Sequence, residues 1–409
     1  MTDLFRRVRR PAAILLAVLL LAGLEGVAQS ASGIDPVLQA PLREALQAIQ
    51  RSQMEQAIEQ LQSLLGRPGL TPYDKATVAR FLGHARMRAG LHEAAIVAFA
   101  RAIASGALSS AEHDEVHYQL GQLYLRQGQA ERAVEHLRKL DRKDYPKAAW
   151  YLSRAQGQLG EHESAIQAAE QVLKDTDRPD RSDIDHLLRL YEQTGQPKQA
   201  LALITRAVAW YPEEKAYWQR QARLHLEVQQ GREALSVLRA MHRQGMLTEE
   251  AEIIQLVDLH LHLDAPLQAA ELLQQAISSG QIDDSVQSRQ RLASAWLQAH
   301  EWQRAEKQLQ VLVGNDAEPT LHLDLALAYS KQEKWLQAIE TYERALRSER
   351  LQNEGEVWLL LGIAAVNAEA LDRAYTALRE AEAYPAQQAR AREWLAWLDR
   401  RSAMDTGRK

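Results

Sequence analysis

The chain has 409 residues, with 49 Lys and Arg against 54 Asp and Glu, a formal net charge of −5 and no cysteine. A negative balance without a long charged tail speaks against general nucleic-acid binding. The missing cysteine removes disulfides, thiolate nucleophiles, Cys-ligated zinc and lipid attachment after a leader.

At the N-terminus, Arg6, Arg7, Arg9 and Arg10 precede an apolar run, AAILLAVLLLA over 12–22. Small and polar residues follow from Gly26 to Ser32, with a processing site at Ala28-Gln29-Ser30 before Ala31. This is the pattern of a secretory signal peptide over residues 1–30, Leu-rich and of the general export kind. The expected location is the periplasm. An uncleaved inner-membrane anchor is the alternative, but the run is short for a span of ~20 residues, and Glu25 interrupts its far side.

Beyond the leader, ten alanines recur at intervals of 32 to 38 residues: Ala57, Ala95, Ala133, Ala165, Ala200, Ala234, Ala269, Ala305, Ala338 and Ala374. A large side chain usually follows four places later, as in Leu61, Phe99, Leu137, Ile204 and Tyr342, with Ala169 the exception. A period near 34 predicts stacked helical hairpins, each burying the apolar face of its neighbour. With the marker alanine set as register position 20, position 8 is small (Ala45, Gly83, Gly121, Ser153, Gly362) except at Leu188. Small residues at 8 and 20 let the two helices approach closely. Position 15 is Gly90, Gly128, Gly160 and Gly195 in four repeats, which suits a left-handed turn, while the later turns lack glycine. Pro197 and Pro266 fall in the first turn of the second helix, Pro68, Pro146, Pro212 and Pro385 near its end, and none in a helix interior. Residues 386–401, with Trp394, Leu395 and Trp397, read as a helix capping the last repeat, and 402–409 as a disordered tail.

The pattern resembles the tetratricopeptide repeat, most closely in HYQLGQLYLRQGQAERAVEHL from His117 and VWLLLGIAAVNAEALDRAYTAL from Val357. The resemblance implies an all-α, right-handed superhelical solenoid of about ten hairpins over 31–385, and binding of a protein or peptide partner. Several stretches, among them GMLTEEAEIIQLVDLHLHLDAPLQAAELLQQAISSGQI over 245–282, LASAWLQAHEWQRAEKQL over 292–309 and AREWLAWL over 391–398, are similar to exported repeat proteins associated with TonB–ExbB–ExbD energy-transduction systems. That similarity implies a periplasmic, non-catalytic accessory of TonB-type iron uptake, with TonB, ExbB or ExbD homologues as partners. A scaffold for cell-envelope or polysaccharide assembly is the alternative.

In this repeat family, positions 5, 9 and 12 of the first helix face the concave groove. Position 9 gives a ladder of Arg154, Arg189 and Arg223, suited to bidentate capture of carboxylates, with Trp150 at position 5 one turn from Arg154. Asp185 and Glu192 are the acids placed to neutralise it. In the last repeats positions 5 and 9 become apolar: Leu323, Leu327, Leu359 and Ile363. That segment receives either a partner helix or the C-terminal helix itself.

Little else carries chemistry. His113 and His117 are four apart on a helix, a spacing that can bring two imidazoles to one metal, but the segment HDEVH is not a metalloprotease motif and reads as a solvated helix start. His225 and His260 replace the usual aromatic at position 11 and read as packed spacers. Trp218 and Trp358 read as core, and Trp302 and Trp335 as packing against the next helix. No G-x-S-x-G, phosphate-binding loop or G-x-G-x-x-G is present. No metal or cofactor is expected, and an enzyme with a site inside the groove is the remaining catalytic alternative.

Overall fold

The computed structural model describes residues 33–406 apart from residues 142, 175, 315–317 and 349. The expected leader over 1–30 lies outside them. Among the described residues the chain forms 21 helices and no strand. It divides into two compact units between Leu203 and Ile204.

The first unit stacks four hairpins and the first helix of a fifth. These are α1 (Pro36–Gln50) with α2 (Met54–Leu65), α3 (Pro72–Arg88) with α4 (His92–Ala104), α5 (Ser110–Arg126) with α6 (Ala130–Leu137), α7 (Ala148–Gln158) with α8 (His162–Lys174), and α9 (Arg181–Gln193). The division falls within α10 (Pro197–Trp210). The second unit continues with α11 (Lys215–Glu227), α12 (Gly231–Arg243), α13 (Glu250–His262), α14 (Pro266–Ser278), α15 (Val286–Gln298), α16 (Trp302–Leu312), α17 (Pro319–Lys331), α18 (Trp335–Leu346), α19 (Glu354–Asn367) and α20 (Leu371–Glu382), and closes with α21 (Gln388–Thr406).

All ten marker alanines are 0% exposed, so a larger side chain at any of them meets packed neighbours. The small residue at position 8 has a specific cause. A Cβ built on Gly83 would lie 2.6 Å from the Phe99 ring, one on Gly121 2.5 Å from Leu137, and one on Gly362 2.7 Å from Leu378. Each of these large residues stands at position 24, so glycine at 8 and bulk at 24 are one packing unit. The exception obeys the same logic. Where position 24 is only Ala169, position 8 is Ser153, whose hydroxyl donates to the Ala165 carbonyl at 2.7 Å.

The turns are more uniform than the glycines suggest. Position 15 is left-handed in all ten hairpins: at Gly90, Gly128, Gly160 and Gly195, and also at Ser52, Gln229, Asp264, His300, Glu333 and Glu369. In every one, the N–H at position 16 bonds the carbonyl at position 11, from Gln53 to Ala48 (2.9 Å) through Gln129 to Tyr124 (2.9 Å) to Ala370 to Ala365 (2.9 Å). This is the Schellman arrangement, which satisfies a carbonyl left open at the helix end. Helix starts are also fixed locally. Thr71 with Asp74, Ser109 with Glu112 and Ser285 with Ser288 form reciprocal caps on α3, α5 and α15.

Two boundaries differ from the sequence expectation. Pro41 lies inside α1, where Asp35 accepts from the Val37 N–H (2.9 Å) and starts the helix at Pro36, two residues before register position 1. The C-terminal helix continues to Thr406 rather than ending at Arg401, and carries part of the expected tail. Ala391 and Leu398 of α21 are buried in a cluster with Ala374, Leu378 and Leu361, and Trp394 and Leu395 pack against it.

Candidate functional site

The first unit holds an open groove of about 860 Å³, lined by α3, α5, α7 and α9. Its walls include Met87, Leu123, Leu125, Tyr151 and Leu190, but its character comes from four arginines: Arg88, Arg126, Arg154 and Arg189. Gln122, Gln158, Gln193, Ser182 and His186 complete its polar lining, and no Asp or Glu is among the lining residues. Gly157 keeps the floor low, since a Cβ there would sit 3.3 Å from the His186 ring.

The four guanidinium groups are not equivalent. Arg154 is held from the side, with Nη2 donating to Asp183 Oδ1 (2.5 Å) and to Ser182 Oγ (3.0 Å). Burial raises the Asp183 carboxyl above the usual range against the opposing pull of Arg154. Arg126 contacts His92 Nε2 at 3.3 Å. Among the described residues, no ion pair is found for Arg88, Arg126 or Arg189, and all three are exposed. His186 registers the resulting field. Burial first, then the charges of Arg154 and Arg189, depress its pKa to about 4, so the ring is neutral near pH 7. With Ser153 Oγ donating to the Ala165 carbonyl, His186 Nε2 donates to that oxygen (3.0 Å). Ser153 is 0% exposed and its proton is committed to the backbone, so this Ser–His contact offers no nucleophile.

Of the residues selected from sequence, Arg154 and Arg189 come together in this groove. Arg223 is exposed on α11, in the second unit, and is not one of the lining residues. Trp150, also expected in the groove, is only 5% exposed and is not among this groove's lining residues. Arg80, at the same register position, is drawn into the stack in the same way. It is 7% exposed, and its pairs run forward to Glu112 (3.0 Å) and Glu115 on α5. Burial works to raise the Glu115 carboxyl, but the His84 hydrogen bond and the charges of His84 and Arg80 outweigh it and hold it at about 2. Arg88 and Arg126 were missed. They stand at position 13, one helical turn beyond position 9 on the same face, and extending the register by that turn would have found them.

At the other end of the chain, Leu359 is 0% exposed and Leu323 and Ile363 pack against the core cluster that also holds α21 residues. Leu327 stays 37% exposed on α17. His113, His117 and His136 cluster on α5 and α6, with His117 Nδ1 2.6 Å from His136 Nδ1. That separation suits one N–H···N bond, whereas two nitrogens on a tetrahedral zinc lie about 3.3 Å apart. Burial, then the neighbouring imidazoles, lowers His117 to about 4. Among the described residues no group of three metal-binding side chains is arranged to hold a metal. His260 is buried as a spacer. The Trp302 ring stacks on His300 at 5.0 Å and lies under Lys331 of the next repeat. No helix among the described residues is long and apolar enough to cross a membrane.

The family model of the tetratricopeptide repeat matches residues 42–112, 118–181 and 323–388. Among solved structures, a tetratricopeptide repeat protein from Parabacteroides merdae is 15% identical, over 62% of this chain and 98% of that one, with a TM-score of 0.30. MamA from Desulfovibrio magneticus is 17% identical over 41% and 92%, with a TM-score of 0.34. The TPR domain of P58(IPK) is 15% identical over 81% and 98%, with a TM-score of 0.25. No curated protein matches the chain.

Proposed function

We propose that this chain, which matches the tetratricopeptide-repeat family model in three stretches, is a non-catalytic scaffold that captures a partner in the groove of its first unit, as proteins of that family generally bind other proteins. The observation that carries the reading is the set of four arginines lining one open groove, of which Arg88, Arg126 and Arg189 have no ion pair among the described residues while Arg154 is paired with Asp183. A purely structural surface balances such charges locally, as the pairs Arg291–Asp258 (2.8 Å) and Lys334–Glu306 (2.6 Å) do elsewhere on the chain. We further propose that it works in the periplasm, attached to a TonB-type energy-transduction complex. Support for that location and partner comes from the leader over 1–30 and from the 245–282, 292–309 and 391–398 stretches.

The test is in-cell crosslinking of the tagged chain, purification and identification of what accompanies it. Recovery of TonB, ExbB or ExbD homologues, lost when Arg126 and Arg189 are both replaced by Glu, is the expected result. Recovery of polysaccharide-export or outer-membrane assembly factors would replace the TonB assignment. Capture undiminished by the double reversal would remove the groove from the account.

A further inference from the structure

The groove reading above leaves the occupant's chemistry open, and the lining residues specify it. Register positions 9 and 13 lie one turn apart on one helix face. On three successive groove helices they hold one arginine and one glutamine: Gln122 and Arg126 on α5, Arg154 and Gln158 on α7, Arg189 and Gln193 on α9. On α3 the arginine is Arg88, and His84 at position 9 is turned to Glu115 (2.9 Å). An arginine fork matches a carboxylate. A glutamine amide carries one acceptor and two donors, the complement of a peptide N–H and C=O that make no bond within their own chain. We propose that this groove takes an extended acidic segment of a partner protein in the polyproline II conformation, its carboxylates held by the arginines and its backbone by the glutamines.

Spacing selects that conformation. α5 packs on α7, and α7 on α9, and packed helix axes lie about 8–10 Å apart. A polyproline II chain presents every third side chain on one face, a step of about 9 Å at ~3.1 Å per residue. Same-face residues of a β-strand are about 6.7 Å apart and drift out of phase with the helices. Between α5 and α7 the arginine moves back one helical turn, so the track crosses the helices obliquely. The third rung is already neutralised, because Asp183 holds Arg154. The ligand therefore needs acids facing Arg88, Arg126 and Arg189 but not Arg154. In sequence terms the pattern is acidic residues three apart, with one acid of a run of four dispensable.

The test uses the chain from Ala31 onward and a fluorescent (Glu-Pro-Pro)₄ peptide, read by anisotropy at low salt. Binding is expected for this peptide, with loss for (Gln-Pro-Pro)₄ and weaker binding for (Glu-Pro)₆ despite its additional carboxylates. Glu-to-Gln scanning should find three sensitive positions and one silent position, second from one end. Arg88→Gln, Arg126→Gln and Arg189→Gln should each weaken binding about tenfold, the scale of one charge-assisted hydrogen bond. Arg101→Gln, exposed on α4 and outside the groove lining, should not. Gln122→Ala and Gln193→Ala should weaken binding without changing its salt dependence, which a purely electrostatic patch would not show. Bound carboxylates should also move the His186 titration upward. Equal binding of the neutral peptide, indifference to the arginines, or groove occupancy by dextran sulfate in preference to (Glu-Pro-Pro)₄ would overturn the proposal. If crosslinking places a partner in the groove while neutral and acidic peptides compete equally, the scaffold reading stands and this one falls.

Discussion

Replacing Gln229 and Glu333 by glycine should stabilise the chain. Both sit at position 15 with φ of +61°, where an L-residue crowds its Cβ against the following carbonyl. That crowding costs roughly 1–2 kcal/mol. Glycine removes it but adds unfolded-state entropy worth about 0.4–1 kcal/mol. The net gain is about 0.5–1 kcal/mol per site, the difference between those two terms. These two sites are the informative ones because both side chains are exposed. By contrast, His300 stacks on Trp302 at 5.0 Å, Glu369 pairs with Arg401 at 2.9 Å, and aspartate at 264 tolerates the left-handed region better than most residues. Differential scanning calorimetry of the double variant, worth about 1–2 kcal/mol over the two sites, should show a midpoint rise of about 2–8 °C in a unit of this size. Stability in a repeat stack is local, so amide exchange should slow at the ends of α11 and α17 and not in the first unit. Gly128→Gln, with φ of +72°, is the reverse change and should lower stability. Unchanged or lowered midpoints for both glycine variants would refute the view that the ten turns share one strained position.

Other outcomes follow from the same geometry. Gly121→Ala places a Cβ 2.5 Å from Leu137 and should cost about 1–2 kcal/mol net of its helix-propensity gain; adding Leu137→Ala should cost less than the two single losses summed, read by urea midpoints. His117 and His186 titrate near 4 when folded, below the usual 6.5, so the unfolded chain binds more protons between those values. Stability should therefore be complete above pH 6.5 and fall as pH drops toward 4, and His186→Asn should flatten part of that slope in pH-dependent thermal unfolding. Asp183→Asn releases Arg154 and should strengthen capture of an acidic segment, measured as a slower off-rate.

Much of the fold was legible because it rests on volumes that repeat. The alanines, all fully buried, and the glycine at position 8 against bulk at position 24 leave a period that survives divergence elsewhere. The left-handed turns were legible only where glycine marks them. At Gln229, Glu333 and Glu369 the same conformation is imposed by the hydrogen bonds on either side of the turn, and the residue type gives no signal. Pro41 escaped for a related reason: Asp35 caps from outside the repeat register. The groove was half legible. Arg154 and Arg189 follow from position 9, but Trp150 was placed by the family's groove-facing register, and packing against neighbouring repeats, unseen in any one helix, buries it as it buries Arg80.

The most direct test of the central claim, that the first unit's groove is where a partner docks, is a map of crosslinks from single photoreactive residues in living cells. With the probe at Gln122, Gln158 or Gln193, all in the groove lining, the account predicts one shared crosslinked partner. With the probe at Arg101 or Gln167, exposed on α4 and α8 and outside that lining, it predicts none. A partner crosslinked from α4 and α8 but not from the three glutamines would contradict it.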